Sequence, residues 1–518
     1  MPVHHKTVNE VGPNHAENDT HCSRLCGYLP MQGRFTRPWR GARVCRASPH
    51  FRKACLMSGI TRRDLLVGSA AVLASPAIAG IAAHRTFAAV DQSIEMHRVS
   101  HEIVKSMPTP GMMSFSADGP PPVIRMRQGE TTAIEVRNRL DEASTVHWHG
   151  LRIDNAMDGV PYLTQAPIEA GESFRYRFTP PDAGTFWYHP HCNTLEQMAR
   201  GMTGVLVVED SEDPGFDQDL PLNIRDFRIG SKGQFLQFYK ARNTARGGTL
   251  GTISTVNWRI DPAYDLPAGS LIRLRLAVTD LTRVGHYTLT GGEAHVIALD
   301  SNPVPAPMPV DEIIMGPGQR ADIALKIPDN EGEQVELILR KPSGDVRIAS
   351  FRATGQSARR QLAELKPLAP NPIPEPDLAN AETLEFVFGW SPAGDAPANP
   401  ICGNLGYLFW SINRVAWQGD FPDPTAPLAV MKPGKSYILR LRNETPYEHP
   451  IHLHGLTFRL LRSNKRQIPS LLTDTALLQA EETMEVALVA DNPGDWAFHC
   501  HVIEHQKTGL TGFLRVET

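Results

Sequence analysis

The chain has 518 residues, more than a single hydrophobic core organises, so the length predicts two to four domains. Charged residues make up 21% and hydrophobic residues 41% of it, ordinary globular values that exclude a fibrous or wholly disordered protein. Residues 1–63 carry eleven Lys/Arg and three Asp/Glu, whereas the rest carries 41 and 53, and this acidic body argues against nucleic acid as a partner. The 43 Pro and 41 Gly lie between short β-branched runs and favour an all-β protein.

Residues 57–79 carry the features of an export signal. Arg62 and Arg63 precede a weakly apolar stretch that ends in small residues at Ala79, a layout typical of a twin-arginine secretion signal. A retained membrane anchor is the alternative, which the short apolar run and Pro76 disfavour. We expect export by the twin-arginine (Tat) machinery to the periplasm or the medium, with no membrane association after cleavage.

The start of the natural product is expected at Met57, because such signals begin a few residues before the paired arginines. Residues 1–56 are then a non-native upstream extension. The twin-arginine route exports folded proteins, which suits a protein that acquires a metal centre before it leaves the cytoplasm.

The first domain, predicted over residues 90–212, contains a repeated histidine pattern. An alternating strand ends at Asn138, and a His-x-His pair begins nine residues later. A second pair begins five residues after Gly184. The two pairs are His147/His149 and His189/His191.

The last domain, predicted over residues 381–518, repeats both spacings. One His-x-His pair begins nine residues after Asn443, and the other begins five residues after Gly494. These pairs are His452/His454 and His499/His501. Two spacings that agree across two copies indicate a duplicated β-domain.

A middle copy, predicted over residues 213–355, keeps the glycine turns and alternating strands of the pattern. It has only His286 and His295, which we expect to be surface or packed residues rather than ligands. A Pro-rich linker is predicted over residues 356–380. The sequence therefore predicts three consecutive β-sandwich domains.

The four histidine pairs indicate one shared metal centre. Side chains alternate along a strand, so both histidines of a pair point to the same face. If the first and last domains meet, eight imidazoles line one interdomain cavity. Eight of the 20 histidines of the chain fall in these four pairs, and His449 and His505 lie within four residues of two of the pairs, which is not expected of scattered residues.

Cys500 stands between the two histidines of the last pair and must face the opposite side of the strand. It belongs to a second metal site, to which His449 and His505 add two nitrogens. One thiolate and two imidazoles form a blue-copper electron-transfer site. Leu510 stands at the weak axial position, and a non-ligating leucine is expected to raise the reduction potential. Structural zinc is the alternative, but it needs only four ligands.

The segments HWHG, HPH, HPIHLHG and HCHVIEH resemble the four copper segments of the multicopper oxidases, the laccase-like family, in a match that runs from about residue 95 to 518. The resemblance implies three cupredoxin-like Greek-key domains and four copper ions, one of type 1, one of type 2 and two of type 3. It implies the type 1 ligands His449, Cys500 and His505 and the type 2 ligands His147 and His452. The type 3 ligands that it implies are His149, His189, His191, His454, His499 and His501.

The resemblance also implies a reaction in which single electrons from a reducing substrate reduce O2 to water. The substrate would dock at the edge of His505, and Cys500 would pass electrons through the backbone to the flanking histidines. Asp158, eleven residues after His147, is the expected proton shuttle, with a simple turn role as the alternative. Many bacterial members carry a glutamate where this chain has Gln506, which leaves the second half of the proton relay open.

The substrate is predicted from the methionine pattern. Cuprous and manganous oxidases of this family tend to carry Met-rich segments, whereas Met112-Met113 is the only methionine doublet of the body. We therefore predict a laccase-like oxidase of phenols and aromatic amines. A metal-ion oxidase in copper tolerance is the runner-up. A copper-free envelope scaffold and a two-domain nitrite reductase are disfavoured, because every ligand position is filled and a third domain is present.

Cys192 and Cys402 are the other two cysteines of the body. One disulfide or two buried thiols are both compatible with the sequence. We favour the unpaired thiols, because the sequence does not place the two residues within the short reach that a disulfide requires.

Overall fold

Alternating apolar and polar residues, bounded by Gly and Pro turns, form a nearly all-β chain. The structure is a computed structural model and describes residues 91–399, 401–424 and 426–518. The predicted extension 1–56 and the predicted signal 57–79 lie outside the described residues. Within the described ranges, no helix has the length and apolar character needed to cross a membrane.

The first sandwich packs two four-stranded sheets, β2-β1-β4-β6 and β3-β8-β7-β5. Its strands are β1 (Gln92–Val104), β2 (Met107–Ser114), β3 (Ile124–Arg127), β4 (Thr132–Asn138), β5 (His147–His149), β6 (Ser173–Phe178), β7 (Gly184–His189) and β8 (Gly204–Glu209), with helix α1 (Thr194–Arg200) and a 3-10 turn (Asn155–Met157) between them. Ile134, Trp148 and Tyr188 lie in the buried core that the two sheets share. Burial of this apolar face stabilises the pair of sheets.

The second sandwich packs a six-stranded sheet, β10-β9-β12-β17-β14-β15, on a five-stranded sheet, β11-β19-β18-β13-β16. Its strands are β9 (Gln218–Phe227), β10 (Ile253–Val256), β11 (Ala263–Pro267), β12 (Leu271–Val278), β13 (Gly285–Thr290), β14 (Glu293–Leu299), β15 (Asn302–Pro309), β16 (Ile313–Met315), β17 (Arg320–Lys326), β18 (Gln334–Arg340) and β19 (Val346–Thr354), with helix α2 (Ala241–Thr244) after β9 and a 3-10 turn (Leu362–Glu364) after β19. Leu274, Ile323 and Phe351 lie in its core.

The third sandwich packs β21-β20-β23-β28-β25-β26 on β22-β30-β29-β24-β27. Its strands are β20 (Glu382–Trp390), β21 (Trp410–Ile412), β22 (Ala429–Met431), β23 (Ser436–Asn443), β24 (His449–Leu453), β25 (Phe458–Ser463), β26 (Leu472–Thr473), β27 (Thr475–Leu478), β28 (Thr483–Val489), β29 (Gly494–Cys500) and β30 (Thr511–Val516), with helix α3 (Ile503–Gln506) before β30. Leu439, Trp496 and Phe498 lie in its core. The described part of the chain is thus nearly all-β with three consecutive sandwiches, as the sequence predicts.

The repeated histidine spacing corresponds to a repeated strand register. In the first sandwich, β5 pairs antiparallel with β7, and His147 lies opposite His189. In the third sandwich, β24 pairs antiparallel with β29, and His452 lies opposite His499. The two His-x-His pairs of each sandwich therefore come from neighbouring strands of one sheet.

The asparagine of the repeated pattern closes the turn before each histidine strand. The Asn138 side-chain amide donates to the carbonyls of Glu142 and Ile168, both at 2.8 Å. The Asn443 amide donates to two carbonyls at 2.7 Å in the same way. Both asparagines are buried, so these bonds satisfy polar atoms that would otherwise cost free energy.

Cys192 and Cys402 form a disulfide, with their Cα atoms 4.6 Å apart. The expectation of two unpaired thiols is therefore wrong. The bond joins the first sandwich to a loop of the third across a sequence separation of 210, and only the packing of the two sandwiches creates this proximity. Cys500 is the one free cysteine of the described part, and it is buried.

Arg320, the first residue of β17, ties the second sandwich to the other two. Its guanidinium donates to the Asp474 carboxylate of the third sandwich at 2.8 and 2.6 Å. It also donates to the Thr185 carbonyl of the first sandwich at 3.1 Å. The side chain is fully buried, and paired hydrogen bonds of this kind are what a buried charge requires.

Candidate metal centre

Eight histidines from the first and third sandwiches meet in one place, which we call the histidine cavity. Each of them is at most 2% exposed. Their nitrogens form three groups in which the candidate ligand atoms lie within 4.8 Å of one another, namely His149/His189/His501, His191/His454/His499 and His147/His149/His452. Every group combines residues of both sandwiches, so neither sandwich completes a group alone.

His147 and His452 each direct one nitrogen lone pair into the cavity. The Nδ1 of His147 donates to the Asp158 carbonyl, and the Nδ1 of His452 donates to the Asp474 carbonyl, both at 2.9 Å. A neutral imidazole that donates from one nitrogen carries a lone pair on the other. Both Nε2 atoms are buried without a hydrogen-bond partner, so each is free to bind a metal.

His454 and His499 face each other with Nε2 atoms 3.0 Å apart. The Nδ1 of His454 donates to Asp158 Oδ2 at 2.9 Å, and the Nδ1 of His499 donates to the Cys500 carbonyl at 3.0 Å. Both Nε2 atoms therefore carry lone pairs, which repel unless a cation lies between them. Burial, together with nearby His452, lowers the pKa of His499 to about 3, so a proton does not serve as that cation at neutral pH. A metal ion fits this arrangement.

A second cluster joins His449, Cys500 and His505. The Sγ of Cys500 lies 3.5 Å from His449 Nδ1 and 3.6 Å from His505 Nδ1. The two Nδ1 atoms are 3.2 Å apart. All three residues are fully buried, and their donors form the trigonal nitrogen and sulfur set expected of the second site.

Hydrogen bonds orient both imidazoles of this second cluster. The Nε2 of His505 donates to the Arg246 carbonyl at 2.6 Å. The Nε2 of His449 donates to Thr445 Oγ1 at 2.8 Å, and the Thr445 hydroxyl donates to Asn443 Oδ1 at 2.8 Å. Each Nδ1 is thereby left with a lone pair directed at Cys500, because a hydrogen bond from one nitrogen of a metal-binding histidine fixes the orientation of the other.

Burial raises the pKa of the Cys500 thiol well above its ordinary value. The Val502 amide donates to the sulfur at 3.4 Å and favours the thiolate. A metal that binds here displaces the thiol proton, since the thiolate is the ligand.

Leu510 lies beside the second cluster, and Gln506 lies beside the histidine cavity. Leu510 is fully buried, and its carbonyl accepts from the Cys500 amide at 3.0 Å while its amide donates to the His505 carbonyl at 3.0 Å. The Gln506 amide Nε2 lies 3.2 Å from His191 Nε2. An amide in this position donates a hydrogen bond but does not exchange a proton as a carboxylate does.

The edge of His505, where docking of the substrate is expected, is closed. His505 is 0% exposed, and the Arg246 carbonyl occupies its outer nitrogen. Trp410 packs beside the imidazole with ring centroids 4.5 Å apart. The sequence did not show this cover, because Arg246 belongs to the second sandwich and lies 259 residues away.

Asp158 contacts two histidines of the cavity. Its Oδ1 lies 3.2 Å from His147 Nδ1, and its Oδ2 lies 2.9 Å from His454 Nδ1. Gly159 follows it at φ +84°, and a Cβ at Gly159 would lie 1.8 Å from the Val146 carbonyl oxygen, so a turn that requires glycine holds Asp158 in place. Asp158 therefore belongs to the turn and also contacts the histidines of the cavity.

Asp474 is a residue of the site that sequence reasoning missed. Its Oδ1 lies 3.4 Å from both His149 Nε2 and His452 Nδ1. Burial alone would raise the pKa of Asp474. The charge of Arg320, together with the hydrogen bonds from His149, His452 and Arg320, outweighs burial and holds this pKa well below the ordinary value. The internal repeat offers a signal for Asp474, because Asp474 corresponds to Asp158 in the other copy. The backbone carbonyl of each aspartate accepts from the first histidine of a His-x-His pair.

His286 and His295, the histidines of the second sandwich, belong to none of the metal-type groups in the described part of the chain. His286 lies at the surface, with Nδ1 3.3 Å from a carboxylate oxygen of Glu312.

Comparisons with known proteins give the family. Two multicopper oxidase domain models match residues 99–213 and 400–518. The structure superposes on the crystal structure of a multicopper oxidase from Pseudomonas thermotolerans with a TM-score of 0.75 and 39% identity, covering 83% of this chain and all of that one. The chain belongs to the multicopper oxidase family. It is therefore a copper-dependent oxidoreductase that uses O2, and copper is the metal that the donor sets fit.

Other members of the family differ in the activity that their names carry. The chain is 29% identical to the multicopper oxidase MmcO of Mycobacterium tuberculosis, over 78% of this chain and 82% of that protein. It is 27% identical to Laccase-1 of Cryptococcus neoformans, over 77% of this chain and 76% of that protein. These relatives are named for different activities, so the reducing substrate of this chain is left to be inferred from the site.

The metal-free protein is expected to lose stability in acid. Burial lowers the pKa of His499 and of His505 to about 3, so between about pH 6.5 and pH 3 the unfolded chain binds protons that the folded chain excludes. At pH 5 each such histidine costs about 2 kcal/mol of unfolding free energy relative to pH 7. Denaturant unfolding of the metal-free protein at both pH values measures this loss.

The matched control for this measurement is the variant His499→Gln, which lacks one buried imidazole. It should lose about 2 kcal/mol less than the unmodified protein between pH 7 and pH 5. Equal losses in the two proteins, or a flat stability across this window, would contradict the assignment of neutral buried imidazoles.

Proposed function

We propose that the protein is a laccase-like multicopper oxidase, which oxidises phenols or aromatic amines one electron at a time and reduces O2 to water. The observation that carries the proposal is the convergence of two donor sets, the histidine cavity and the cluster of His449, Cys500 and His505. Zinc as a structural ion would need one closed set of four ligands, which does not account for eleven.

The proposed copper content is four ions. His449, Cys500 and His505 would hold the type 1 copper, and His147 and His452 would hold the type 2 copper. The two type 3 ions would be held by His149/His189/His501 and by His191/His454/His499, the groups in which these nitrogens lie together. Bound copper supplies the one-electron redox chemistry and the reduction of O2.

The residues of the chain provide the electron path between the two donor sets. Cys500 is covalently linked through the backbone to His499 and His501, and the Cys500 carbonyl also accepts from His499 Nδ1 at 3.0 Å. The sulfur faces the second cluster while both neighbouring imidazoles face the histidine cavity. One strand, β29, therefore connects the electron-accepting site to the O2 site.

Asp158 is proposed as the proton shuttle for O2 reduction. It is buried, and its two oxygens contact histidines of the first and third sandwiches. A carboxylate there can accept a proton beside the cavity and pass it on. Gln506, beside His191, orients that imidazole without supplying a proton.

Aromatic substrates are proposed because an aromatic ring lies beside the second cluster. Trp410 contacts both His449 and His505, with ring centroids 5.2 and 4.5 Å apart. Met112 and Met113 are the only adjacent methionines in the sequence. Both are fully buried, so their sulfur atoms are not accessible to a metal ion from solvent. If the protein oxidises a metal ion such as Cu(I) faster than it oxidises phenols, the proposed substrate class is wrong.

Export to the periplasm or the medium is also proposed. The disulfide between Cys192 and Cys402 supports it, because disulfides persist in oxidising compartments, and Arg62 and Arg63 supply the export signal. Intact mass of the protein purified from its own host should show a chain that begins after Ala79. A chain that retains residues upstream of Met57 would contradict the proposed start.

The optical spectrum of the copper-loaded protein tests the proposed centres. An intense blue band is expected from the Cys500 thiolate, with a near-ultraviolet shoulder from the histidine cavity and O2 uptake when a phenol is added. The matched variant Cys500→Ser should lose the blue band and the O2 uptake while it keeps the shoulder, since the cavity histidines are untouched. A protein that stays colourless after copper loading would refute the proposed oxidase function. O2 uptake that is faster with Cu(I) than with the phenol would make a metal ion, rather than a phenol, the proposed substrate.

The variant Asp158→Asn tests the proton shuttle. The amide keeps the shape and one acceptor oxygen, so the blue band should remain while kcat for O2 uptake falls by about 10²–10⁴-fold. Asp154→Asn is the control, because Asp154 is exposed and lies on the same turn. Unchanged kcat in Asp158→Asn, or an equal fall in Asp154→Asn, would contradict the role of Asp158.

A further inference from the structure

The second sandwich covers the histidine at which electrons are expected to enter. The segment around helix α2 places the Arg246 carbonyl on His505 Nε2 at 2.6 Å. Glu504, next to His505, accepts from the Thr244 hydroxyl and the Thr249 amide, both at 2.5 Å. These bonds hold the segment against α3 on both sides of Arg246. A reducing substrate therefore does not touch His505 in this structure.

A pair of tryptophans leads from the second cluster to the surface. Trp410 is fully buried and lies against His505 and His449, with ring centroids 4.5 and 5.2 Å apart. Trp390 stacks on Trp410 at 4.4 Å with an angle of 21° between the ring planes. Trp390 is 40% exposed. An unbroken series of ring contacts thus connects solvent to the imidazoles.

The fold holds the pair in register. Trp390 ends β20, Trp410 begins β21, and the two are directly opposite in the antiparallel pairing. The Trp410 indole Nε1 donates to the Thr244 carbonyl at 2.9 Å, which locks its ring to the covering segment. Tyr447 meets both indoles edge-on at 6.2 Å. Stacked and edge-on contacts of this kind are favourable and directional.

We propose that Trp390 is the site where aromatic reductants dock and that the Trp390–Trp410 stack carries their electrons to His449 and His505. This inference rests on the proposed function and names the surface that it uses. An exposed indole face attracts a phenol or aromatic amine ring through the same offset stacking that joins the two tryptophans. Rings in van der Waals contact provide stronger electronic coupling than the same distance through solvent, so no direct contact with His505 is needed.

The step balances as a single-electron oxidation. A phenol stacked on Trp390 loses the hydrogen of its O–H group as a proton to solvent and an electron to the tryptophan pair, and leaves as a phenoxyl radical. The electron is accepted at the blue-copper site. Four phenols and one O2 thus yield four phenoxyl radicals and two waters, with the four protons consumed at the O2 site.

The test compares Trp390→Leu and Trp390→Phe with the unmodified protein. Trp390 is exposed, so its replacement should leave the copper content and the blue band unchanged. Tyr264→Leu is the matched control, because Tyr264 is a partly exposed ring stacked on buried Phe351 at 5.7 Å, in the second sandwich. Phenylalanine keeps part of the ring and serves as the conservative variant, and as the replacement if the leucine variant does not fold.

Two readouts are measured. Under argon, bleaching of the blue band by a methoxyphenol should slow by about tenfold or more in Trp390→Leu, slow less in Trp390→Phe, and stay at the unmodified rate in Tyr264→Leu. In the copper-free protein, 4-nitrophenol, which is hard to oxidise, should bind to the unmodified protein and to Tyr264→Leu, and bind more weakly to Trp390→Leu, as seen by saturation-transfer NMR.

Bleaching or binding that is unchanged in Trp390→Leu would overturn the inference and leave the oxidase proposal intact. A colourless unmodified protein, or a blue band that the phenol does not bleach, would contradict the proposed function instead, and the inference would fall with it. Working under argon excludes the O2 site from the measured rate, so the two failures are distinguished.

Discussion

The structure is organised around the burial of eight imidazoles whose nitrogens are not satisfied by the protein alone. Buried nitrogens without partners cost free energy, and the Nε2 atoms of His147, His189 and His452 have none. The facing Nε2 atoms of His454 and His499, 3.0 Å apart, add repulsion. Bound copper would remove both costs, so the same arrangement that destabilises the metal-free protein favours metal binding.

This constraint explains why a sandwich without ligands is retained between two that bear them. Each half of the cavity forms complete groups of metal-binding nitrogens only when the first and third sandwiches lie next to each other. Arg320 of the second sandwich reaches Thr185 of the first and Asp474 of the third, and the Cys192–Cys402 disulfide joins the outer two directly. The second sandwich also covers His505 through Arg246, so it influences the electron entry as well as the scaffold.

The sequence predicted the site well where local rules apply and poorly where distant segments meet. The alternation of side chains along a strand was enough to assign His499 and His501 to one cavity and Cys500 to the other site, and the repeat predicted the three sandwiches. The disulfide, Asp474 and the cover on His505 depend on contacts between different sandwiches, which periodicity and spacing do not encode. The tryptophan pair depends on the register in which β20 pairs with β21, and residue spacing does not encode that register.

The central claim is that the first and third sandwiches jointly bind copper, with a separate ion at Cys500. X-ray anomalous scattering at the copper absorption edge, from crystals of the copper-loaded protein, tests it most directly. We expect one peak among His449, Cys500 and His505 and three peaks in the histidine cavity between the four His-x-His pairs. A cavity without copper peaks, or a peak bound by histidines of one sandwich alone, would contradict it.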